Sequence, residues 1–133
     1  MILLDTNVLI SAAFKIQDHA AALNLLTTET EVVAPTLWRY EFINVTTKQA
    51  RLGNVDFGLI LPAYDFLSGH LLRELHGERV GEVVALSRRY TCSGQDAVFL
   101  YWAAALDTPL ITRDKRLARA APELTRLLAA QGA

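Results

Sequence analysis

The sequence predicts an α/β fold in which a central, mainly parallel sheet of four or five strands is flanked by helices on both faces. Short apolar runs alternate with segments of helical periodicity, which is the pattern of right-handed β-α-β crossovers. The length of 133 residues fits one domain with a sizeable core. A composition of 52% hydrophobic and 20% charged residues excludes a disordered or collagen-like chain. We therefore expect residues 1–133 to form a single domain.

The first part of the chain predicts a strand, two helices and a second strand. Residues 1–4 are all apolar and end at an acid, as in a parallel strand covered on both faces. Thr6 or Asn7 can cap a helix that runs through residue 14, and another helix is expected over about residues 18–27. Residues 31–35 have the composition of the second strand.

A long helix is expected next, because Thr36 can cap a segment of helical periodicity that reaches about residue 52. Its apolar stripe should contain Trp38, Phe42 and Val45. Glu41 lies beside this stripe, in the middle of the helix.

The rest of the chain continues the alternation. Residues 55–67 predict a helix in which Pro62 can cause a bend, and Ser68 with Gly69 should end it before a strand over residues 70–75. The other elements indicated by periodicity are helices over residues 80–90, 93–107 and 114–121 and a strand over residues 110–112. Residues 124–128 are compatible with either an edge strand or a terminal helix.

Four carboxylates are the candidate functional residues. Asp5 and Asp114 directly follow predicted strands, so they should share the sheet edge at which ligands bind in parallel α/β folds. Glu41 lies within a helix, and Asp96 begins the buried stripe of another. Acids gathered in one crevice repel one another unless cations are present, and oxygen ligands suit Mg²⁺ or Mn²⁺. The pattern therefore indicates metal-dependent chemistry on phosphates.

Structural roles compete with this interpretation. Asp5, Asp96 and Asp114 could each stabilise a helix N-terminus. Glu41 cannot cap a helix, and a partly buried glutamate without a partner would raise its pKa or destabilise the fold. Arg39 is close in sequence but faces another side of the helix, so we expect a metal or a distant arginine to compensate Glu41.

The net charge of −1 gives no overall basic field, which argues against a passive DNA-binding protein. It argues less against a nuclease, because bound cations can reverse the sign of an acidic pocket. Arg113 and Lys115 belong to a basic C-terminal stretch and are candidate phosphate contacts, although a solvated helix face explains such residues equally well.

Other classes of protein are disfavoured. The longest apolar run, residues 97–106, has ten residues, whereas a membrane span needs roughly 20. The N-terminus lacks the features of a secretory signal, so we expect a cytoplasmic protein without a membrane segment. A lone Cys92 cannot form an internal disulfide, and no set of Cys and His residues has the spacing of a zinc site.

Four segments together resemble the signature segments of PIN-domain ribonucleases, and most closely the VapC-like toxins of prokaryotic toxin–antitoxin pairs. The segments are Leu-Leu-Asp-Thr-Asn-Val-Leu-Ile, Trp-Arg-Tyr-Glu-Phe-Ile-Asn-Val, Gln-Asp-Ala-Val-Phe-Leu and Leu-Ile-Thr-Arg-Asp-Lys-Arg-Leu. They occur in the family's order over nearly the whole chain. Gln95 stands where the family often has tyrosine, so the resemblance does not define the substrate-binding surface at this position.

The resemblance implies a catalytic metal site formed by Asp5, Glu41, Asp96 and Asp114. Asn7 and Thr112 would support it, although a helix cap and a strand residue are the competing roles. The implied cofactor is Mg²⁺ or Mn²⁺, which would activate a water to cleave RNA and leave a 5′-phosphate and a 3′-hydroxyl. The implied partners are an RNA substrate, a protein antitoxin and a second copy of the chain.

The sequence is also compatible with two other functions. A receiver domain of a signalling system is also a small parallel α/β protein with strand-end acids that bind Mg²⁺. A PIN-like module could also keep the fold and serve only in protein interaction. Because all four acids are present, the sequence favours a metal-dependent endoribonuclease.

Overall fold

The computed structural model describes residues 1–71 and 73–128 of the chain. In this part of the chain five strands form one sheet, namely β1 (Ile2–Leu4), β2 (Val32–Pro35), β3 (Arg73–Leu75), β4 (Leu110–Thr112) and β5 (Thr125–Leu127). Their spatial order is β3-β2-β1-β4-β5, and all neighbouring strands are parallel. The predicted α/β fold is confirmed.

Seven α-helices in the described residues flank the sheet: α1 (Thr6–Ala13), α2 (His19–Thr28), α3 (Leu37–Arg51), α4 (Ile60–His70), α5 (Val80–Tyr90), α6 (Gly94–Ala105) and α7 (Lys115–Ala120). Helix α1 contacts α2, α3 and α4, whereas α5 packs on α6. Every residue of β2 and β4 is buried. Since successive residues of a strand face opposite sides of the sheet, both faces are covered, as predicted.

The order of the strands creates a switch point in the middle of the sheet. From the central β1 the chain adds β2 and β3 on one side and then crosses over to add β4 and β5 on the other. The backbone N–H of Asp5 donates to the carbonyl of Ile111 at 3.0 Å, which extends the pairing of β1 with β4 to the end of β1. Segments that leave β1 and β4 therefore begin side by side, where such sheets bind ligands.

The aromatic part of the core joins α3 to α4. The Trp38 ring stacks on Tyr64 with a centroid distance of 5.2 Å and meets the edge of Phe42 at 5.8 Å. Val45, which we predicted on the same buried stripe, is instead 40% exposed, and Thr46 is buried in its place. The buried series 38, 42 and 46 follows i+4 steps along one helix face, which turns Val45 outward.

Several predicted boundaries around α4 are wrong. A 3₁₀ helix (Phe57–Leu59) capped by Asp56 precedes α4, so the helix begins at Ile60 rather than at residue 55. Pro62 lies in the first turn of α4, where its missing N–H has no partner to lose, and the helix continues through it. It also continues past Gly69 to His70. The strand predicted over residues 70–75 is confirmed only for β3, and residue 72 lies outside the described residues.

The other differences are local. Helical spacing from Asp96 predicts one buried stripe through Phe99, Leu100, Ala103, Ala104 and Asp107. Phe99, Leu100 and Ala103 are buried, but Ala104 is exposed and the helix ends at Ala105, before Asp107. Of the two alternatives for residues 124–128, the edge strand is correct, because β5 pairs with β4. Within residues 1–71 and 73–128, no helix combines the length and the hydropathy that a membrane crossing requires.

Candidate active site

The four acids identified in the sequence meet around one cavity of about 440 Å³. Asp5 follows β1 and Asp114 follows β4, whereas Glu41 comes from α3 and Asp96 from the first turn of α6. Parallel strand ends thus place two acids side by side, and two helices bring the others across the switch point. Residues from four separate segments of the chain form the acidic wall of one cavity.

Asp5 is the most buried of these acids, with 8% of its surface exposed. Its Oδ1 accepts a hydrogen bond from the backbone N–H of Thr6 at 2.7 Å, so it caps α1, in place of the predicted Thr6 or Asn7. Its Oδ2 accepts from the hydroxyl of Thr112 at 2.7 Å. Burial raises the pKa of Asp5 from 3.8 to about 7. The hydrogen bond from Thr112 opposes this rise, and the negative charges of Glu41 and Asp96 add to it.

Glu41 is half-buried and has a partner that we did not predict. The hydroxyl of Thr6 donates to its Oε1 at 2.6 Å, linking α1 to α3. Burial raises the pKa of Glu41; the Thr6 bond opposes the rise and the charge of Asp96 adds to it. The expectation that only a metal or a distant arginine could compensate Glu41 was therefore incomplete, because a buried threonine supplies one hydrogen bond.

Asp96 is half-buried at the start of α6. The cap of this helix is Ser93, whose Oγ accepts from the backbone N–H of Asp96 at 3.0 Å, so the Asp96 carboxylate is not the capping group. Burial and the nearby charge of Asp114 raise its pKa, while Ser93 and Arg116 oppose the rise. The shifts in Asp5, Glu41 and Asp96 all result from burial together with like charges.

Asp114 has the structural role that we considered as an alternative. Its Oδ1 accepts from the backbone N–H of Leu117 at 3.0 Å and caps α7. The cap uses one of the two carboxylate oxygens. The Asp114 carboxylate also lines the cavity and raises the pKa of Asp96. Capping and membership of the acidic cluster are therefore compatible, for Asp114 as for Asp5.

Asn7 and Thr112 join the two strand ends. The Thr112 hydroxyl accepts from the Asp114 backbone N–H at 3.0 Å while donating to Asp5. Asn7 donates through Nδ2 to Thr112 Oγ1 at 3.3 Å and accepts through Oδ1 from the Arg113 backbone N–H at 3.0 Å. The two side chains thereby fix the positions of Asp5 and Asp114 relative to each other.

Replacing Thr112 by valine should lower the free energy of unfolding by about 1 to 3 kcal/mol, because Asp5 Oδ2, Asn7 Nδ2 and the Asp114 backbone N–H each lose a hydrogen bond to the hydroxyl. Urea unfolding followed by circular dichroism measures the loss. The exposed Thr27, whose hydroxyl bonds only to its own helix at Leu23, provides the control Thr27→Val, which should change little. Equal midpoints for Thr112→Val and the unmodified protein would contradict this role.

The two candidate phosphate contacts lie in different environments. Arg113 lines the cavity, and its Nε donates to Asp18 Oδ2 at 3.1 Å. Lys115 is exposed at the start of α7. Sequence reasoning did not find Asp18, because it is 95 residues from Arg113 in the chain. Both basic residues stay candidate phosphate contacts.

The acidic cluster fits a divalent cation by charge and by donor type. In the described part of the chain, no ion pair involves Asp5, Glu41, Asp96 or Asp114. Carboxylate oxygens are the donors that Mg²⁺ and Mn²⁺ prefer. Among the same residues, however, no three acidic, His or Cys side chains converge closely enough to hold one ion. Some of these carboxylates must therefore rotate before three can bind the same cation.

Part of the cavity lining is apolar, which composition alone did not indicate. Val45, turned outward from the core, lines the cavity together with Ile10, Phe14, Ile16 and Val55. Periodicity of α3 could have identified Val45, since it lies one helical turn beyond Glu41. Two smaller depressions adjoin the cavity, one sharing Glu41 and the other sharing Asp96 and Asp114. Together the cavity and these two depressions form a cleft that is lined by all four acids.

Known proteins share both the sequence pattern and the fold. The family model described as PIN domain matches residues 2–122. The crystal structure of PAE2754 from Pyrobaculum aerophilum has a TM-score of 0.81 and 21% sequence identity, covering 98% of this chain and 90% of that chain. At this identity the likeness shows a shared fold only. No curated protein gives a significant match. Since the family model covers nearly the whole chain, the protein belongs to the PIN domain family.

Proposed function

We propose that the protein is a Mg²⁺- or Mn²⁺-dependent endoribonuclease. The observation that carries this proposal is the cluster of Asp5, Glu41, Asp96 and Asp114 around one cavity, without an ion pair to any of them among the described residues. PIN domains are typically nucleases that bind nucleic acid and use divalent metals. Membership of the PIN domain family also explains the acids at the strand ends, in place of the alternative of a receiver domain.

Each side chain of the cluster has a definite part in this proposal. When bound, Mg²⁺ or Mn²⁺ supplies charge neutralisation at the phosphate and lowers the pKa of a water. Both oxygens of Asp5 accept hydrogen bonds, from the Thr6 backbone and the Thr112 hydroxyl. Glu41 accepts one hydrogen bond, from the Thr6 hydroxyl, and Asp96 enters the cluster from the first turn of α6. Asn7 keeps the Asp5 and Asp114 segments together. Hydrolysis would leave a 5′-phosphate and a 3′-hydroxyl, as the resemblance to PIN-domain ribonucleases implies.

Removing divalent metal should stop cleavage. We expect the purified protein to cut single-stranded or structured RNA with Mg²⁺ or Mn²⁺, to lose activity in EDTA, and to regain it when excess Mn²⁺ is added. Gel analysis of labelled RNA, with mapping of the new ends, measures both the metal requirement and the products. A folded protein that cuts no RNA with either metal would instead support the alternative of a catalytically inactive interaction module.

We further propose that this nuclease is the cytoplasmic toxin of a toxin–antitoxin pair and forms a homodimer. The resemblance to VapC-like toxins motivates the proposal. It is supported by four large apolar side chains near the end of α3 and the start of α4 that are between 55% and 65% exposed: Leu52, Phe57, Leu59 and Leu61. Exposed apolar groups of this kind commonly mark protein interfaces.

The product of a small reading frame directly upstream, if it is the antitoxin, should form a stable complex on co-expression and inhibit RNA cleavage. Size-exclusion chromatography with light scattering gives the mass of the protein alone and of the complex. A monomer that forms no complex with this product would contradict the dimer and antitoxin proposals, and would leave the nuclease proposal intact.

A further inference from the structure

An ion pair lies at the edge of the cavity, outside the acidic cluster. Arg113 Nε donates to Asp18 Oδ2 at 3.1 Å, and the two side chains are only 23% and 27% exposed. Arg113 contributes to the cavity wall, but Asp18 is not among the described residues that do so. Asp18 therefore reaches the guanidinium from outside the cavity.

Arg113 is the only described residue lining the cavity that carries a positive side chain. A guanidinium has five N–H donors in a planar fork, which lets it bind one partner at Nε and a phosphate through its terminal nitrogens. Among the described residues, Nε is the only guanidinium nitrogen of Arg113 with a hydrogen bond. The pair with Asp18 thus leaves the terminal donors available for a phosphate oxygen.

Both ends of Arg113 are held in place. Its backbone N–H donates to Asn7 Oδ1 at 3.0 Å, which fixes the start of the side chain next to the acids. Asp18 fixes the other end. A side chain held at both ends loses less conformational entropy on binding than a free surface arginine.

The backbone places Asp18 for this contact. Asp18 has φ 66, a left-handed conformation that Asp and Asn tolerate better than most residues. The ring of His19, the next residue, forms a hydrogen bond through Nδ1 with the carbonyl of Ser11 at 2.8 Å, which fastens the start of α2 to α1. The same connection contains Phe14 and Ile16, which line the cavity. Asp18 is thereby anchored to the rim of the cleft.

On the basis of the ribonuclease function proposed above, we propose that Arg113 binds an RNA phosphate next to the one that is cut, and that Asp18 is its positioning residue. Asp18 accepts the Nε hydrogen bond and turns the terminal nitrogens of Arg113 toward the cleft. It touches none of the four acids, so it acts on binding of the strand and leaves the chemical step unchanged.

Two substitutions of Asp18 test whether it positions the Arg113 guanidinium or only neutralises its charge. Asp18→Gly removes the acceptor and suits the left-handed backbone, whereas Asp18→Asn removes the charge but keeps an acceptor oxygen. Positioning predicts that Asp18→Gly weakens RNA binding about tenfold and that Asp18→Asn retains most of the affinity. Charge neutralisation predicts that both variants bind RNA more tightly and to the same extent.

The experiment measures Kd for a labelled single-stranded oligoribonucleotide by fluorescence anisotropy in Ca²⁺, and KM and kcat for its cleavage in Mn²⁺. We expect a higher Kd and KM for Asp18→Gly with kcat within about twofold of the unmodified protein. Arg113→Gln should have a similar effect, and the double variant should be no worse than Arg113→Gln alone. Asp65→Asn, an exposed position on α4, controls for the loss of one negative charge.

The outcomes distinguish the proposed ribonuclease function from the proposed phosphate site at Arg113. If the unmodified protein binds RNA without cutting it and Asp18→Gly weakens binding, the ribonuclease function fails and the phosphate site stands. Cleavage with an unchanged or lower Kd in Asp18→Gly, or additive effects in the double variant, would overturn the roles of Asp18 and Arg113. Absence of both binding and cleavage in the unmodified protein would overturn both proposals.

Discussion

Asp96→Asn should reduce RNA cleavage by at least about 100-fold while making the metal-free protein more stable. The loss of activity follows because an amide is a poor ligand for the cation that the cluster is proposed to hold, and a single electrostatic contact in an active site is commonly worth this factor. The gain in stability follows because burial and the charge of Asp114 both raise the pKa of Asp96. Removing its charge therefore relieves the cost of burying that charge and its repulsion by Asp114 in the folded state.

The two effects are measured together, by cleavage rates in Mn²⁺ and by thermal melting in EDTA. The helix cap of α6 should survive, because Ser93 provides it through the backbone N–H of Asp96. Asp65→Asn removes one exposed carboxylate from α4 and should change neither quantity. Asp96→Asn protein that is folded and cuts RNA at the normal rate would remove Asp96 from the proposed site.

Asp96 is a better test of the site than Asp5. Both oxygens of Asp5 accept hydrogen bonds, from the Thr6 backbone and from the Thr112 hydroxyl. In Asp5→Asn the new NH₂ group would face the Thr112 hydroxyl, which already accepts from Asn7 and from the Asp114 backbone. The substitution would disturb the junction of β1 and β4 as well as the charge, and its effect on activity would have two causes.

The fold and the acidic cluster were predictable because local signals place them. Apolar runs ended by Asp5 and by Arg113-Asp114 mark strand ends, and parallel topology brings strand ends to one edge of the sheet. The helical periodicity of the segment that starts at Asp96 likewise predicted that this side chain points inward. These predictions needed only the direction of each element and the alternation of strands and helices.

The partners of the acids were not predictable, because they depend on how separate elements pack. Thr6 and Glu41 are 35 residues apart and meet only because α1 crosses α3. Arg113 and Asp18 are 95 residues apart, and Asp18 has a left-handed backbone that helical periodicity does not predict. The error at Val45 arose from the phase of a helix. Those around α4 arose from a 3₁₀ helix before it and from a proline and a glycine that the helix tolerates.

The metal-free protein should become less stable as the pH rises from about 5.5 to 8. The pKa of Asp5 is raised from 3.8 to about 7 in the folded protein, and burial also raises those of Glu41 and Asp96. Between these values the folded state binds more protons than the unfolded state, so the free energy of unfolding falls with increasing pH. The contribution of these carboxyl groups to stability is complete below their pKa in the unfolded chain. It is lost as the pH rises through their higher pKa in the folded protein.

Each unit of pKa shift corresponds to about 1.4 kcal/mol, and a domain of this size changes its melting temperature by roughly 3 to 5 °C per kcal/mol. We therefore expect the melting temperature in EDTA to fall by on the order of 10 °C between pH 5.5 and 8. Differential scanning fluorimetry across this range measures the change. A melting temperature in EDTA that rises with pH would contradict the cause assigned to the three shifts.

Saturating Mn²⁺ should remove most of this pH dependence, because a cation among the acids favours their charged forms and stabilises the folded state most at high pH. Asp96→Asn should flatten the dependence in EDTA as well, since the charge of Asp96 contributes to the raised pKa of Asp5 and of Glu41. Asp65→Asn should keep the full dependence. A protein whose melting temperature falls with pH equally with and without Mn²⁺ would have buried acids that bind no cation, and the metal site would then be wrong even if RNA is cut.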